Sequence, residues 1–500
     1  MWSRMESLVG ARDSASSAVR PRSKPRKSRT GTGGRLQQLL GPLFDPVDIA
    51  SLVFFRVAFG LIMVWEVWRY FTYGWIANYY IDPVFHFTYY GFGWIQPWAG
   101  NGMYWHFIGL GVLASFLAAG FLYRISATLF FLGFTYVFLL DQAQYLNHFY
   151  LVSLIALILI FVPAHRAFSV DAWLRPRLRS RTTPLWAPAL LAAQMGIVYF
   201  YGGIAKLGAD WLRGEPMRAW MAWFTDPLGG PTLTYWSGYF FSYGGLLFDL
   251  LIVPFLIWRR TRIPALMLAV GFHLANAWMF NIGIFPWFAI AATLMFLHPS
   301  WPRRALNYVR NLWRSPRRQL ITGPMQPAGA STPGRYRNLT LALLAVFLVV
   351  QLVMPLRHFA YPGNANWTEE GHRFAWHMKL RSVEGAALFN ATDPVTGQSR
   401  QISPASYLTE RQEQKMAPHP DMVLQLAHRI ADDFRAEGYD EIQVSALVVA
   451  SLNGREAQLL IDPQRDLAAE PRTLAPDDWI LPLEEPFRVS TDTAASANAG

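Results

Sequence analysis

The chain has 500 residues, 53% of them hydrophobic and only 15% charged, with a formal net charge of +11 and no cysteine. The missing thiols exclude a disulfide, a thiolate nucleophile and any Cys-ligated metal or iron-sulfur centre. The basic balance would admit a nucleic-acid partner, but the arginines cluster beside apolar runs, where they set membrane orientation and meet anionic headgroups, so no nucleic acid is expected.

In chain order, residues 1–45 carry Arg20, Arg22, Lys24, Arg26, Lys27 and Arg29 among Ser, Gly and Pro, without the apolar core and cleavage site of a secretory signal. A disordered cytoplasmic segment is expected there. From about Ala50 to Met354 the sequence offers apolar runs of roughly 17 to 22 residues, the length a helix needs to cross a ~30 Å hydrocarbon layer. They predict spans at 50–70, 104–121, 124–141, 147–163, 186–207, 236–258, 263–280, 283–298 and 338–355. The expected fold class is a multi-span α-helical membrane bundle of about nine transmembrane helices, with a small C-terminal extramembrane α+β domain.

With the N-terminus inside, the inside connections are those around Arg124, 164–185, 259–262 and 299–337, which are the arginine-rich ones. The outside connections 71–103, 142–146 and 208–235 hold only Arg213 and Arg218, so the charge bias places the region after Pro355 outside, and the arginine-rich, cysteine-free composition fits a bacterial inner membrane. A Gly- and Pro-rich linker, ITGPMQPAGASTPG, precedes the last span. The expected organisation is a transmembrane domain over 46–355, an extracytoplasmic domain over 356–485 and a disordered tail over 486–500. Within 356–485 the runs RFAWHMKL and EIQVSALVVASL alternate as strands do, and DMVLQLAHRIADDFRAEG has helical periodicity.

Ionisable groups inside spans need a partner or a function. Arg56 and Asp249 are the deepest, and are expected to act as structural charges that pair with each other or with backbone carbonyls; Glu66 and Arg69 are expected at the interface. His148 follows Asn147 at the start of the fourth span, and His273 has Asn276 one turn later on the same face of the seventh. Neither pattern has metal-ligand spacing with carboxylates, so no metal is expected.

Between Lys27 and Lys379 the single lysine is Lys206, at the end of the apolar helix in IVYFYGGIAKLGADW. An arginine cannot be deprotonated in a protein, whereas an amine in a water-poor setting can lose its proton and act as a base, which makes Lys206 the candidate catalytic group. Tyr199, Gly202 and Gly203 share its helix face and would accept a flat ring. The other reading has the lysine stem snorkelling toward headgroups while the ammonium pairs with Asp210.

The ordered set FFRVAFGLIMV, FLYRISATLFFLGFTYVFLLD with NHFYL, FSVDAWL, PLWAPALLAAQMGIVYFYGGIAKLGADW, GLLFDL, FHLANAWMFNIGIFPW and PSWPRR, with MPLRHFAYPGNANWTEEGHRFAWHMKL and LLIDPQRDL followed by DDWILPL, resembles the vitamin K-dependent gamma-glutamyl carboxylases and the wider group sharing their HTTM domain. The resemblance runs from about Pro46 to about Leu483 and points to a bacterial-type homologue. It implies a membrane enzyme that oxidises a vitamin K-type hydroquinone with O2 to an epoxide and couples this to gamma-carboxylation of protein glutamate with CO2. Reduced vitamin K or menaquinol would be the cosubstrate, and a glutamate-containing exported protein and the lipid bilayer the partners. On the same resemblance Lys206 is the base that takes the hydroquinone proton, Asn147 and His148 match a pair placed at the hydroquinone, and His273 falls on a family histidine. Three departures bear on this: Ala205 stands where animal enzymes carry a second lysine, no cysteine exists for their disulfide, and the sequence ends soon after LLIDPQRDL. Quinol oxidation is therefore the better supported half, and an epoxidase without carboxylation is the near alternative. A transporter or a non-enzymatic lipid-binding protein would rely on Arg56 and Asp249 instead, and the absence of paired broken helices stands against a transporter.

Overall fold

The computed structural model describes residues 39–280, 282–312 and 334–484. Residues 1–38 of the basic segment, Arg314, Arg317 and Arg318 with nearly all of the linker, and the expected tail over 486–500 lie outside the described residues. Helices form on the apolar runs and, at α9, on a basic amphipathic stretch: α1 (Ala50–Thr72), α2 (Gly102–Ala119), α3 (Tyr123–Leu140), α4 (Asn147–Phe161), α5 (Trp186–Ala205), α6 (Met217–Ile257), α7 (Arg262–Met279), α8 (Phe285–Thr293), α9 (Trp301–Leu312) and α10 (Gly334–Val353). Among the described residues six helical stretches are long and apolar enough to cross a membrane: Ala50–Thr72, Gly102–Ala119, Tyr123–Leu140, Trp186–Ala205, Ala209–Ile257 and Tyr336–Ala360. This is a multi-pass membrane protein. Asn147–Phe161 and Phe285–Phe296 are apolar but shorter. At ~1.5 Å per residue, the 15 residues of α4 reach ~22 Å, less than the ~30 Å hydrocarbon layer.

The stretch 208–235, expected as a connection, is largely helical. α6 starts at Met217 and is bent where Gly230 takes φ 63° and ψ −161°, between Pro227 and Pro231. Proline removes a helix hydrogen bond and glycine tolerates the positive φ, so DPLGGP divides α6 into two helical segments that meet at Gly230.

The bundle core is built on close helix approaches. A Cβ on Gly60 of α1 would lie 2.6 Å from the carbonyl of Ala114 in α2, so only a bare backbone permits that packing. Arg56, 0% exposed, does not pair with Asp249. Its guanidinium donates to the carbonyls of Ala164 (2.9 Å) and Ala118 (3.3 Å) and to that of Phe168, tying the end of α2 to the connection after α4. Asp171 in that connection accepts from the backbone N–H groups of Leu122 and Tyr123, both at 2.9 Å, and so caps the start of α3.

Two short strands, β1 (Pro46–Asp48) and β2 (Thr182–Pro184), pair at one end of the bundle. The C-terminal region carries an antiparallel sheet of β3 (Val383–Thr392), β4 (Ser399–Ile402), β5 (Gln443–Leu452) and β6 (Gln458–Leu459) in the order β4-β3-β5-β6. The short helix α11 (Glu410–Met416) leads to α12 (Pro420–Ala436), whose Val423, Leu426, Ala427 and Ile430 share one core with Phe389, Val444, Ala446 and Val448 of the sheet. EIQVSALVVASL and DMVLQLAHRIADDFRAEG thus adopt the expected strand and helix.

RFAWHMKL does not. Phe374, Trp376 and Lys379 sit at φ 64°, 61° and 52°, a region that L-residues enter only when the surroundings impose it. The imposing contacts are aromatic: Trp376 stacks on Tyr150 with centroids 4.9 Å apart, and Phe374 packs edge-on to Tyr150 and Tyr145 at 4.9 and 5.5 Å. The alternating pattern encodes a segment wedged against the start of α4. A polar clasp adds to it, since Arg455 donates to both carboxylate oxygens of Asp210 at 2.6 and 2.7 Å and Asn453 donates to one at 2.8 Å.

Candidate functional site

A cavity of about 600 Å3 opens at the end of α5, between the C-terminal part of α1, the start of α4, α6, α7 and the wedged segment. That size lies within the range of small-molecule sites, roughly 300–1,000 Å3. Trp75, Tyr79, Trp211, Trp220, Phe272 and Phe280 contribute aromatic wall.

Lys206 follows the last residue of α5, and its backbone N–H reaches back to the carbonyl of Gly203 at 3.0 Å. The side chain is only 6% exposed. Its Nζ donates to Oδ2 of Asp249 at 2.7 Å and to the carbonyl of Gly202 at 3.1 Å, and lies 5.2 Å from the centre of the Trp211 ring. Trp211 is itself fixed by a 2.7 Å hydrogen bond from its indole nitrogen to the carbonyl of Ser242. The snorkelling alternative fails on two counts: the amine is buried, and Asp210 is committed to Arg455 and Asn453. Asp249 is the partner of Lys206, not of Arg56. Lys206 and Asp249 both line the cavity.

Asn147, His148, Tyr199, Lys206, His273 and Asn276 all line this cavity. Tyr199 joins two elements, its hydroxyl meeting Nε2 of His273 at 2.7 Å and the hydroxyl of Thr293 at 2.9 Å. Among the described residues this arrangement leaves Nδ1 of His273 buried without a hydrogen-bond partner. His148 packs against Phe149 and Phe285 at 4.8 and 6.0 Å. Asn147 accepts from the Tyr145 hydroxyl at 3.0 Å and donates to the carbonyl of His377 at 2.9 Å, which makes it an anchor for the wedged segment. Asn276 donates to the carbonyl of Phe272 one turn back, at 2.8 Å.

The two glycines do something other than expected. A Cβ on Gly203 would stand 2.6 Å from Leu250 Cδ2, and one on Gly202 3.2 Å from Asp249 Oδ2. They let α6 close on α5 and bring the Asp249 carboxylate to the amine; they offer no bare surface to a ring.

Residues 44–301 match the HTTM domain family, and residues 336–486 match the family described as vitamin K-dependent gamma-carboxylase, lumenal domain. This chain belongs to the vitamin K-dependent gamma-carboxylase family. No solved structure gives a significant match. Family membership implies a vitamin K-dependent, carboxylase-like activity with reduced vitamin K as cosubstrate.

Several lining residues escaped the reading of the sequence. Glu66 and Arg69, expected at the interface, form a 2.6 Å ion pair, and Glu66 is 3% exposed. The i,i+3 spacing on α1 was the available signal. Lys379, Arg411 and Lys415 also reach the cavity. Lys379 lies in a segment that carries the family resemblance, but nothing local in the sequence indicates that Arg411 and Lys415 of α11 fold back onto it.

Proposed function

We propose that this chain is a membrane enzyme that oxidises a vitamin K-type hydroquinone to its epoxide, coupled to gamma-carboxylation of protein glutamate. The observation that carries the reading is the buried Lys206–Asp249 pair on an aromatic-walled cavity, beside Asn147, His148, Tyr199, His273 and Asn276. The bound hydroquinone would supply the electrons: with O2, CO2 and glutamate it gives epoxide, gamma-carboxyglutamate and water.

The chain's own part is placement and the first deprotonation. At 2.7 Å the proton on Nζ can pass to Oδ2 of Asp249, leaving a neutral amine beside a neutral acid without sending any charge out of the cavity. The amine then takes the hydroxyl proton of the hydroquinone, and the ammonium so formed lies next to the new oxyanion. Nδ1 of His273 and the His148 ring are the remaining polar contacts for the quinol oxygens, and the aromatic wall excludes water that would quench reactive oxygen species. The same proposal includes nine spans, with α4, α7 and α8 completing the six longer stretches, the N-terminus and 1–45 inside, a bundle over 46–355, a C-terminal domain over 356–485 outside, and a bacterial inner membrane.

The test uses detergent-purified full chain with reduced vitamin K or menaquinol, O2, labelled bicarbonate and a glutamate peptide, with epoxide and fixed label measured separately. Both products are expected. Epoxide without label would confine the activity to quinol oxidation, and neither product from a well-folded sample would remove the enzyme reading.

A further inference from the structure

Between Asp249 and Glu369 the sequence has no aspartate or glutamate, while arginines recur along the stretch. Inside it lies α9, which reads WPRRALNYVRNL. At about 3.6 residues per turn Trp301, Ala305, Leu306, Tyr308, Val309 and Leu312 fall on one side of this helix, and Arg303, Arg304, Asn307, Arg310 and Asn311 on the other. The two faces are fully separated.

The start of α9 is pinned to the start of α1. The backbone N–H of Ser51 donates to the carbonyl of Pro299 at 3.0 Å, the Trp301 ring meets Phe54 edge-on at 4.8 Å, and Arg303 donates to both carboxylate oxygens of Asp48 at 3.0 and 3.1 Å. α9 therefore leaves the bundle at the level where a membrane span begins. Past that point the apolar side stands open, with Leu306, Tyr308, Val309 and Leu312 between 49% and 67% exposed. Arg304 and Arg310 are exposed as well, and among the described residues neither meets a carboxylate. The linker that follows offers none, since it adds Arg314, Arg317 and Arg318 and no acid. A second copy seated through this helix would set arginine against arginine, and like charges repel.

We propose that α9 lies in the plane of the membrane, with Tyr308, Val309 and Leu312 at the hydrocarbon boundary and Arg304 and Arg310 bound to anionic phospholipid headgroups. A helix with one apolar and one basic face matches that boundary on both sides. Each arginine fork can hold two phosphate oxygens, and a leaflet of net negative charge adds an attraction that a zwitterionic one lacks. Nothing in this contact depends on the quinol chemistry.

The chain has no cysteine, so one introduced thiol can carry a fluorophore with no other change. The full chain, labelled with nitrobenzoxadiazole at Val309→Cys, Leu312→Cys, Asn307→Cys or Asn311→Cys, is reconstituted into vesicles of phosphatidylcholine and phosphatidylglycerol. Labels at Val309 and Leu312 should be quenched by nitroxide-bearing lipid and shielded from acrylamide, and labels at Asn307 and Asn311 should show the reverse. Quenching of all four by acrylamide would place the helix in water, and shielding of Val309 and Leu312 from both quenchers would assign the face to protein; either result overturns the proposal. In zwitterionic mixed micelles, the phosphatidylglycerol needed to half-convert the Val309 label should rise about fivefold in Arg304→Gln and again in Arg310→Gln, while Arg310→Lys should stay within about twofold of the parent. A midpoint unmoved in both Gln variants, or reached equally with phosphatidylcholine or soluble glycerol phosphate, would remove the anionic-lipid site. If the Gln variants do not fold, the quenching pattern, compared in vesicles with and without phosphatidylglycerol, decides the question.

Discussion

Replacing Asp249 by Asn keeps the shape of the side chain and removes its charge, leaving the Lys206 ammonium buried without an anion. At 2.7 Å and an effective dielectric constant of about 20, the lost attraction is ~6 kcal/mol. The variant has a cheaper escape, which is to shed the lysine proton; from an unfolded chain with an ordinary lysine at ~10.4 this costs ~4.6 kcal/mol at pH 7. The smaller cost governs, so Asp249→Asn should lose about 3–5 kcal/mol at pH 7, the range seen when one partner of a buried pair is removed. The unfolded variant then holds a proton that the folded one lacks, so stability rises with pH and the penalty shrinks to ~2 kcal/mol at pH 9. Equilibrium unfolding in mixed micelles at pH 7 and pH 9 measures both numbers. A double variant, Lys206→Met with Asp249→Asn, should recover most of the loss, because it leaves no unpaired charge. A penalty under ~1 kcal/mol that does not change with pH would refute the buried pair.

Three other outcomes follow from the packing. Gly203→Ala should destabilise by ~1–3 kcal/mol, since its Cβ would stand 2.6 Å from Leu250 Cδ2, while Gly109→Ala, whose Cβ would meet nothing within 4 Å among the described residues, should be neutral; thermal melts of the two variants compare them directly. Burial, then the charges of His358 and Lys206, hold His377 down to about 3 from its ordinary 6.5. The unfolded chain therefore takes up a proton that the folded chain refuses, and stability should fall as pH drops below ~6.5, by ~2.7 kcal/mol at pH 4.5; His377→Gln should flatten that slope in a pH series of unfolding curves. Arg455→Ala leaves Asp210 without its two-point partner and should cost ~3 kcal/mol, visible as faster proteolytic release of the C-terminal region.

Lys206 was legible because lysine is otherwise missing from a long arginine-rich stretch, and the 3.6-residue periodicity placed it at a helix end. Its partner was not. Nothing local links Lys206 to Asp249, which lies 43 positions on, and the rule that intramembrane charges pair pointed instead to Arg56. Arg56 has no need of a carboxylate, because bends at 118–120 and 164–168 present several carbonyls to its guanidinium. RFAWHMKL misled for a related reason: a period of two records alternate burial, and contacts with Tyr145 and Tyr150 impose that alternation without any ladder of strand hydrogen bonds. The helical stretch around Gly230 was hidden by a Pro- and Gly-rich segment that reads as a loop. The family motifs, by contrast, marked Asn147, His148 and His273 well before any geometry placed them on one cavity.

The most direct test of the account is single-turnover epoxide formation from reduced vitamin K by Lys206→Arg, a variant that keeps a positive charge beside Asp249 but cannot offer a neutral nitrogen. The account predicts no detectable epoxide from a variant that melts like the wild type. Epoxide at a rate near the wild-type rate would show that the site needs only the charge, and that the quinol proton leaves by another route.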